Sequence, residues 1–278
     1  MALDQPGQTA PLLAAPLLAA PLLAAAQDLR AATRLWRLVW ALAWMDIRLR
    51  YRGSWLGPFW LSLSTAITIA ALVALYPLLL GLPARDYVPY LATSLVLWNA
   101  LVQLVADAAV AFAEQARVIH ALPLPVSVHA ARALLRNVLA AAHQAAILLP
   151  VFLLYGIAPD FGGALAGLLV WIVNGFFLVL ALGALSARFR DIPPIAASIM
   201  QLAFFVTPVI WRAEQLGPHA AWLHANPLHA MLSILRAPLL GQAVAAAHWQ
   251  AAAMVTASTV LAGTAIFAAT RARLAFWV

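Results

Sequence analysis

Six stretches run without Asp, Glu or Arg: 59–82, 87–106, 137–159, 161–187, 192–211, and a last one whose most apolar part is 250–270. A helix of ~20 apolar residues crosses ~30 Å of hydrocarbon while satisfying its own backbone, so each stretch predicts a membrane span. The third and fourth are separated only by Pro159, Asp160, Phe161, Gly162 and Gly163, a combination that ends one helix and turns into the next. A different pattern fills 30–52. At about 100° per residue, Arg30, Arg34, Arg37, Arg48 and Arg52 share one arc, with Leu35, Leu38, Val39, Leu42 and Leu49 opposite. Trp36, Trp40 and Trp44 flank the boundary, where an indole keeps its N–H wet; this predicts an amphipathic helix lying in the headgroup plane. Asp46 and Arg50 break the arc and, four residues apart, are expected to pair with each other.

Two segments follow neither pattern. Residues 212–249 are too polar and proline-broken for a simple span, yet Trp222, Leu223, Met231, Leu232, Ile234 and Leu235 are too apolar for a free loop. Short re-entrant helices dipping into the outer leaflet satisfy both facts, provided protein covers their backbone. Residues 1–29 repeat Ala-Pro-Leu-Leu-Ala three times. Asp4 and the interruptions at Pro11, Pro16 and Pro21 argue against a signal peptide, and the expectation is a disordered low-complexity tail. The predicted fold is an all-α integral membrane protein. It has six transmembrane helices, the N-terminal interfacial helix, and the short outer helices before the last span, with 30–278 as one transmembrane domain.

Composition narrows the chemistry. Of 278 residues 65% are hydrophobic and 9% charged, against roughly 25% charged in soluble domains. All sixteen basic residues are arginine, so the lysine of a phosphate-cradling P-loop is absent and any ATP must be bound by another chain. Without cysteine there is no thiolate nucleophile and no Cys-ligated metal. His219, His224 and His229 are spaced so that successive rings on a helix diverge, which disfavours a shared metal. With both termini placed in the cytoplasm, the inner segments hold thirteen arginines, and only Arg85, Arg212 and Arg236 fall outside. That asymmetry matches the positive-inside rule and explains the net charge of +7 without invoking nucleic acid. Asp107 and Glu114 lie at or beyond a span's end, which argues against a proton relay.

The stretch Arg50-Tyr51-Arg52-Gly53-Ser54-Trp55-Leu56-Gly57-Pro58-Phe59-Trp60 resembles the signature of the permease subunits of ABC-type polysaccharide exporters, which move O-antigen, capsule or teichoic-acid chains on lipid carriers. The resemblance continues in order at Phe189-Arg190-Asp191-Ile192, Phe204-Phe205-Val206-Thr207-Pro208-Val209-Ile210-Trp211, Asn226-Pro227-Leu228 and Arg271-Ala272-Arg273, covering roughly 34–278. It implies a bacterial inner-membrane protein in two copies. Each copy would bind a cytoplasmic P-loop ATPase that holds the ATP and Mg, with lipid-linked polysaccharide passing between the permeases. No cofactor, metal or catalytic residue is expected on this chain.

Candidate site residues fall into three groups. Phe112, Glu114, Arg117, Val118 and Ile119, before Pro123 and Pro125, look like the family's coupling helix that docks on the ATPase. Arg50, Arg52, Trp55, Gly57 and Pro58 are candidates for headgroup contact or a gate. Arginine pairs bidentately with phosphate oxygens, although Gly53, Gly57 and Pro58 have first of all a turn to make. Sugar C–H faces pack on aromatic rings, so Phe59, Trp60, Trp98, Phe204 and Phe205, with Trp171, Phe176 and Phe177, are candidate channel platforms. Two other readings stand beside the exporter: a permease of the same fold for a small lipid or drug, and a membrane enzyme acting on lipid-linked sugars. The scattered carboxylates speak against the enzyme.

Overall fold

The computed structural model describes residues 14–50, 52–53, 55 and 59–278. Eleven α-helices follow in order: α1 Ala14–Arg34, α2 Trp36–Arg50, α3 Phe59–Leu80, α4 Ala84–Val110, α5 Ala116–Ala121, α6 Val126–Ala145, α7 Leu148–Tyr155, α8 Phe161–Arg188, α9 Ile192–Val206, α10 Pro227–Leu239 and α11 Ala246–Trp277. Short 3₁₀ segments at Ala113–Gln115 and Ala213–Ala225 connect them, and no strand occurs among the described residues. Among the described residues, five helical segments are long and apolar enough to cross a membrane: Ser62–Leu79 in α3, Ala84–Val110, Val126–Tyr155 through α6 and α7, Phe161–Arg188 and Ala246–Trp277. The chain is a multi-pass membrane protein.

Helix ends follow local chemistry. Asp160 caps α8 by accepting from Gly162 N at 3.0 Å, and Asn226 caps α10 by accepting from Leu228 N and His229 N, with Pro227 at the first helical position. α7 stops at Gly156, whose φ of 67° is a left-handed conformation that glycine adopts without penalty.

Four expectations need correcting. The span expected at 192–211 is helical only to Val206, because Thr207 precedes Pro208 and takes an extended conformation (φ −104°, ψ 136°). Its 15 residues reach ~22 Å, less than the ~30 Å hydrocarbon core. The third span begins at Val126 rather than 137, so Arg132 and Arg136 lie inside a helix and not in a connection. The helix expected over 30–52 is broken at Leu35, and its apolar arc packs Val39 and Ala43 against α6 while Trp36, Trp40 and Trp44 face outward. Residues 14–29 are helical rather than a disordered tail. Ala25 is buried beside α11, Arg271 donates to Ala24 O at 2.6 Å, and Asp28 accepts from Val126 N (3.1 Å) and Ser127 N (3.0 Å), capping α6 from a distant helix.

α4 is the central element, buried from Tyr87 through Trp98, with α6, α8, α9 and α10 around it. α8 packs most extensively on α11, and small residues permit the approach. A Cβ built on Gly263 would lie 2.7 Å from Phe177 O, and one on Gly167 2.5 Å from Ile234 O. α3 and α9 are peripheral; their buried described side chains are Thr65, Ile69 and Met200. The short helix α10 is almost wholly inside the bundle, with Trp171 Nε1 donating to Met231 O at 2.7 Å. Beyond α9, residues 207–211 continue beside α4, since Tyr87 Oη donates to Ile210 O at 2.7 Å and Tyr90 Oη lies 2.9 Å from Pro208 O.

Gly263→Val is expected to destabilise the purified protein by ~1–3 kcal/mol through overpacking against α8. Thermal unfolding in detergent checks this. Gly162→Ala, whose Cβ meets nothing nearer than 3.4 Å, is expected to leave the midpoint unchanged.

Candidate functional site

At the arginine-rich end of the bundle, charged side chains from four elements converge. Arg132 and Arg136, one turn apart on α6, face Asp46 and Arg50, one turn apart on α2. Arg132 grips Asp46 with two nitrogens, Nε at 2.7 Å from Oδ2. Arg136 reaches Asp107 at the end of α4 (3.3 Å), Glu114 in the 3₁₀ turn (3.3 Å) and Asp46 (3.8 Å). Arg50 lies 3.7 Å from Asp107, so the expected Asp46–Arg50 pair is replaced by two pairs to other elements. Gln103 donates to Asp107 (2.8 Å), and Gln115 Oε1 sits 2.6 Å from His129 Nδ1 and 3.3 Å from Arg132 Nη1. Three arginines balance three carboxylates, which is the condition for keeping Arg136 and Asp107 at 6% and 4% exposure.

The cluster fixes the segment between α4 and α6. Phe112 is fully buried, its ring where a Cβ on Gly183 would approach to 2.9 Å; it anchors the segment and cannot present itself to another chain. Val118 and Ile119 are half-buried, and His120 Nε2 lies 2.9 Å from the α11 carbonyl Ala275 O. Glu114 is 46% exposed and divides its carboxylate between Arg136 and the surface. Arg117 and Leu122 face outward. Of the five predicted coupling residues, Glu114 and Arg117 are therefore the surface, and Phe112, Val118 and Ile119 are its footing.

The predicted aromatic platforms divide. Trp98, Phe204 and Phe205 come together in a groove of about 520 Å³ between α3, α4 and α9, with ring centroids 5.6 Å apart for Trp98–Phe204 and for Phe204–Phe205. Thr68, Asn99 and Gln201 add polar groups to its wall. Phe59 and Trp60 are exposed at the start of α3, away from this groove, Phe59 standing edge-on to His143 at 5.2 Å. Trp171, Phe176 and Phe177 pack between helices and serve the core. Behind α3 a polar seam holds it to the bundle: Gln144 and Asn99 donate to Thr65 Oγ1 at 2.7 and 3.3 Å. Arg52 and Trp55 are exposed, and Gly53 takes a φ of 83°, as the expected turn requires. Gly57 and Pro58 lie outside the described residues.

The same order of elements decides the family. Residues 37–240, from α2 through α10, match the model of the ABC-2 type transporter. The chain belongs to the ABC-2 type transporter family. Curated relatives include an O-antigen export system permease protein RfbA of Myxococcus xanthus, 24% identical over 71% of this chain and 77% of the relative. One of the same name from Klebsiella pneumoniae is 22% identical over 67% and 74%. The matched region of this ABC-2 protein contains both the charged cluster and the aromatic groove; α1 and α11 lie outside it. Sequence reading missed the cluster's partners, although arginines four apart in an otherwise apolar helix were its visible signal.

Arg136→Ala leaves the carboxylates of Asp107 and Asp46 short of their shared cation and is expected to destabilise by ~3–5 kcal/mol. Arg117→Ala, at the surface, is expected to cost under ~0.5 kcal/mol. Comparing the thermal midpoints and gel-filtration profiles of the two variants checks this.

Proposed function

We propose that this ABC-2 family chain is the permease subunit of an ATP-driven exporter that carries lipid-linked polysaccharide, of the O-antigen or capsule type, across the bacterial inner membrane. The aromatic groove between α3, α4 and α9 carries the reading, taken with the two relatives named for O-antigen export. Trp98, Phe204 and Phe205 offer sugar-stacking faces, and Asn99 and Gln201 offer hydrogen bonds to hydroxyls. α3 and α9 also leave apolar faces uncovered at Ile67, Leu75, Ile195, Ile199 and Leu202. A second copy set against them closes the groove into a path between two permeases.

The chain crosses six times on this reading, with 207–211 completing the crossing that α9 begins beside α4. Both termini are cytoplasmic, and α2 lies in the headgroup plane with Trp36, Trp40 and Trp44 toward lipid. Arg52 and Trp55, exposed before α3, meet the phosphate headgroup of the carrier. ATP and Mg bind to a separate cytoplasmic P-loop subunit that docks on the surface around Glu114, Arg117 and Leu122. The charged cluster then transmits its movement: a displacement of the 3₁₀ turn reaches Arg136 through Glu114, and from there α2 through Asp46. A same-fold exporter of a small lipid or drug is the second reading, because the groove is mostly apolar.

The tagged protein pulled from detergent-solubilised native membranes is expected to bring with it, near one-to-one, a chain carrying a Gly-x-x-x-x-Gly-Lys-Ser/Thr loop and ATPase activity. Arg117→Glu is expected to weaken that association without lowering the permease's own thermal midpoint. An ATPase-free protein that still moved or modified lipid-linked sugar would overturn the proposal.

A further inference from the structure

A second built cavity lies at the opposite end of the bundle from the charged cluster. It encloses about 190 Å³, the volume share of roughly six waters. Tyr90, Arg212, Glu214, His229, Arg236 and His248 line it. Its floor is Arg236, 7% exposed, whose Nη1 shares its two N–H groups among Tyr90 Oη (2.9 Å), Ser94 Oγ (3.1 Å) and Pro208 O (2.7 Å). Every one of these partners is neutral. A buried guanidinium without a carboxylate is costly, and in a membrane protein such a charge marks a site. Among the described residues the carboxylate lining the cavity is Glu214, which is 78% exposed and sits 3.7 Å from Arg212 Nε instead.

Two further observations give the cavity the same sign. Arg212 and Arg236 both stand over the Tyr90 ring, at 5.3 and 4.5 Å from its centroid, and with Glu214 beside Arg212 the lining keeps one positive charge in excess. α11, Ala246–Trp277, also begins there, with Val244 and its N-cap Ala245 in the lining and no side-chain cap on its first turn. A helix start without a side-chain cap, with its positive dipole end, favours an anion. His229 and His248 close the far wall, their Nε2 atoms 3.4 Å apart.

We propose that this cavity binds a phosphate or pyrophosphate group. Arg236 holds it from the floor, and Arg212 and the start of α11 hold it from the mouth. The polar surroundings and the planar, multidentate donors of arginine suit tetrahedral phosphate oxygens. The group comes either from a lipid headgroup at that membrane face or from free phosphate. The charge of the cavity carries this inference independently of the transport reading, and the assay reads binding alone.

The full-length protein in detergent is titrated with inorganic pyrophosphate and with phosphate by calorimetry. In parallel, native mass spectrometry follows phosphate-bearing lipids retained after extraction and after reconstitution with phosphatidic acid. Arg212→Gln and His248→Gln, both half-exposed, keep the fold, which their thermal midpoints confirm. Binding is expected to be saturable in the wild type and about tenfold weaker in the Arg212→Gln/His248→Gln double variant, ~1.4 kcal/mol. Arg236→Lys, which keeps the charge and loses the fork, is expected to weaken it too. Lipid retained by the wild type and lost by the double variant supports the site with a headgroup as its ligand, and binding of the inorganic anions without retained lipid supports it with free phosphate. No saturable binding of any probe, or binding unchanged in the double variant, overturns it.

Discussion

Arg136 is held at 6% exposure among carboxylates from three separate elements, Asp46 of α2, Asp107 of α4 and Glu114 of the turn before α5. A guanidinium in that position is tolerable only while all its partners are present, because each buried charge left alone costs several kcal/mol. The arrangement of α2, the end of α4, the connecting segment and α6 is therefore one unit. None of the four can move far without separating charges in a medium that does not replace water. Phe112 against Gly183 and Asp28 on the first turn of α6 extend that unit to α8 and α1.

Rigidity is unevenly distributed. α4, α8, α10 and α11 meet through glycines that admit backbone contacts and through Tyr87, Tyr90 and Trp171, whose polar tips find carbonyls on other elements. α3 and α9 touch this scaffold along one side each, α3 through Ile69, Leu72, Val73 and Tyr76 and through the polar seam at Thr65. The exporter role proposed above makes use of this division. In that proposal the closely packed body transmits force from one face, and α3 and α9, on either side of the aromatic groove, part and close around the transported chain.

The spans, their approximate number and the all-helical class were legible in the sequence because hydrocarbon imposes a composition on every residue that faces it, whatever the tertiary partners. Turn chemistry was legible for the same local reason, as Asp160, Gly156 and Asn226-Pro227 show. The aromatic motif at Phe204 and Phe205 was visible as a candidate. Its separation from Phe59 and Trp60 was not, since the two sets lie on different helices whose spacing no local pattern records.

What only the tertiary structure decided is which charged and polar groups meet. Asp46 stands next to Arg50 on its own helix yet bonds to Arg132, Arg236 counts in the sequence among the outside arginines of the re-entrant segment yet lies buried beneath Tyr90, and the first helix is ordered by contacts with α6 and α11. The sequence by itself determined that the chain is helical and which segments are apolar, because that depends on side-chain composition over a few turns. The pairing of segments depends on contacts between residues far apart in the chain, where alternatives of equal local merit are separated only by whether every buried charge and backbone group finds a partner at once.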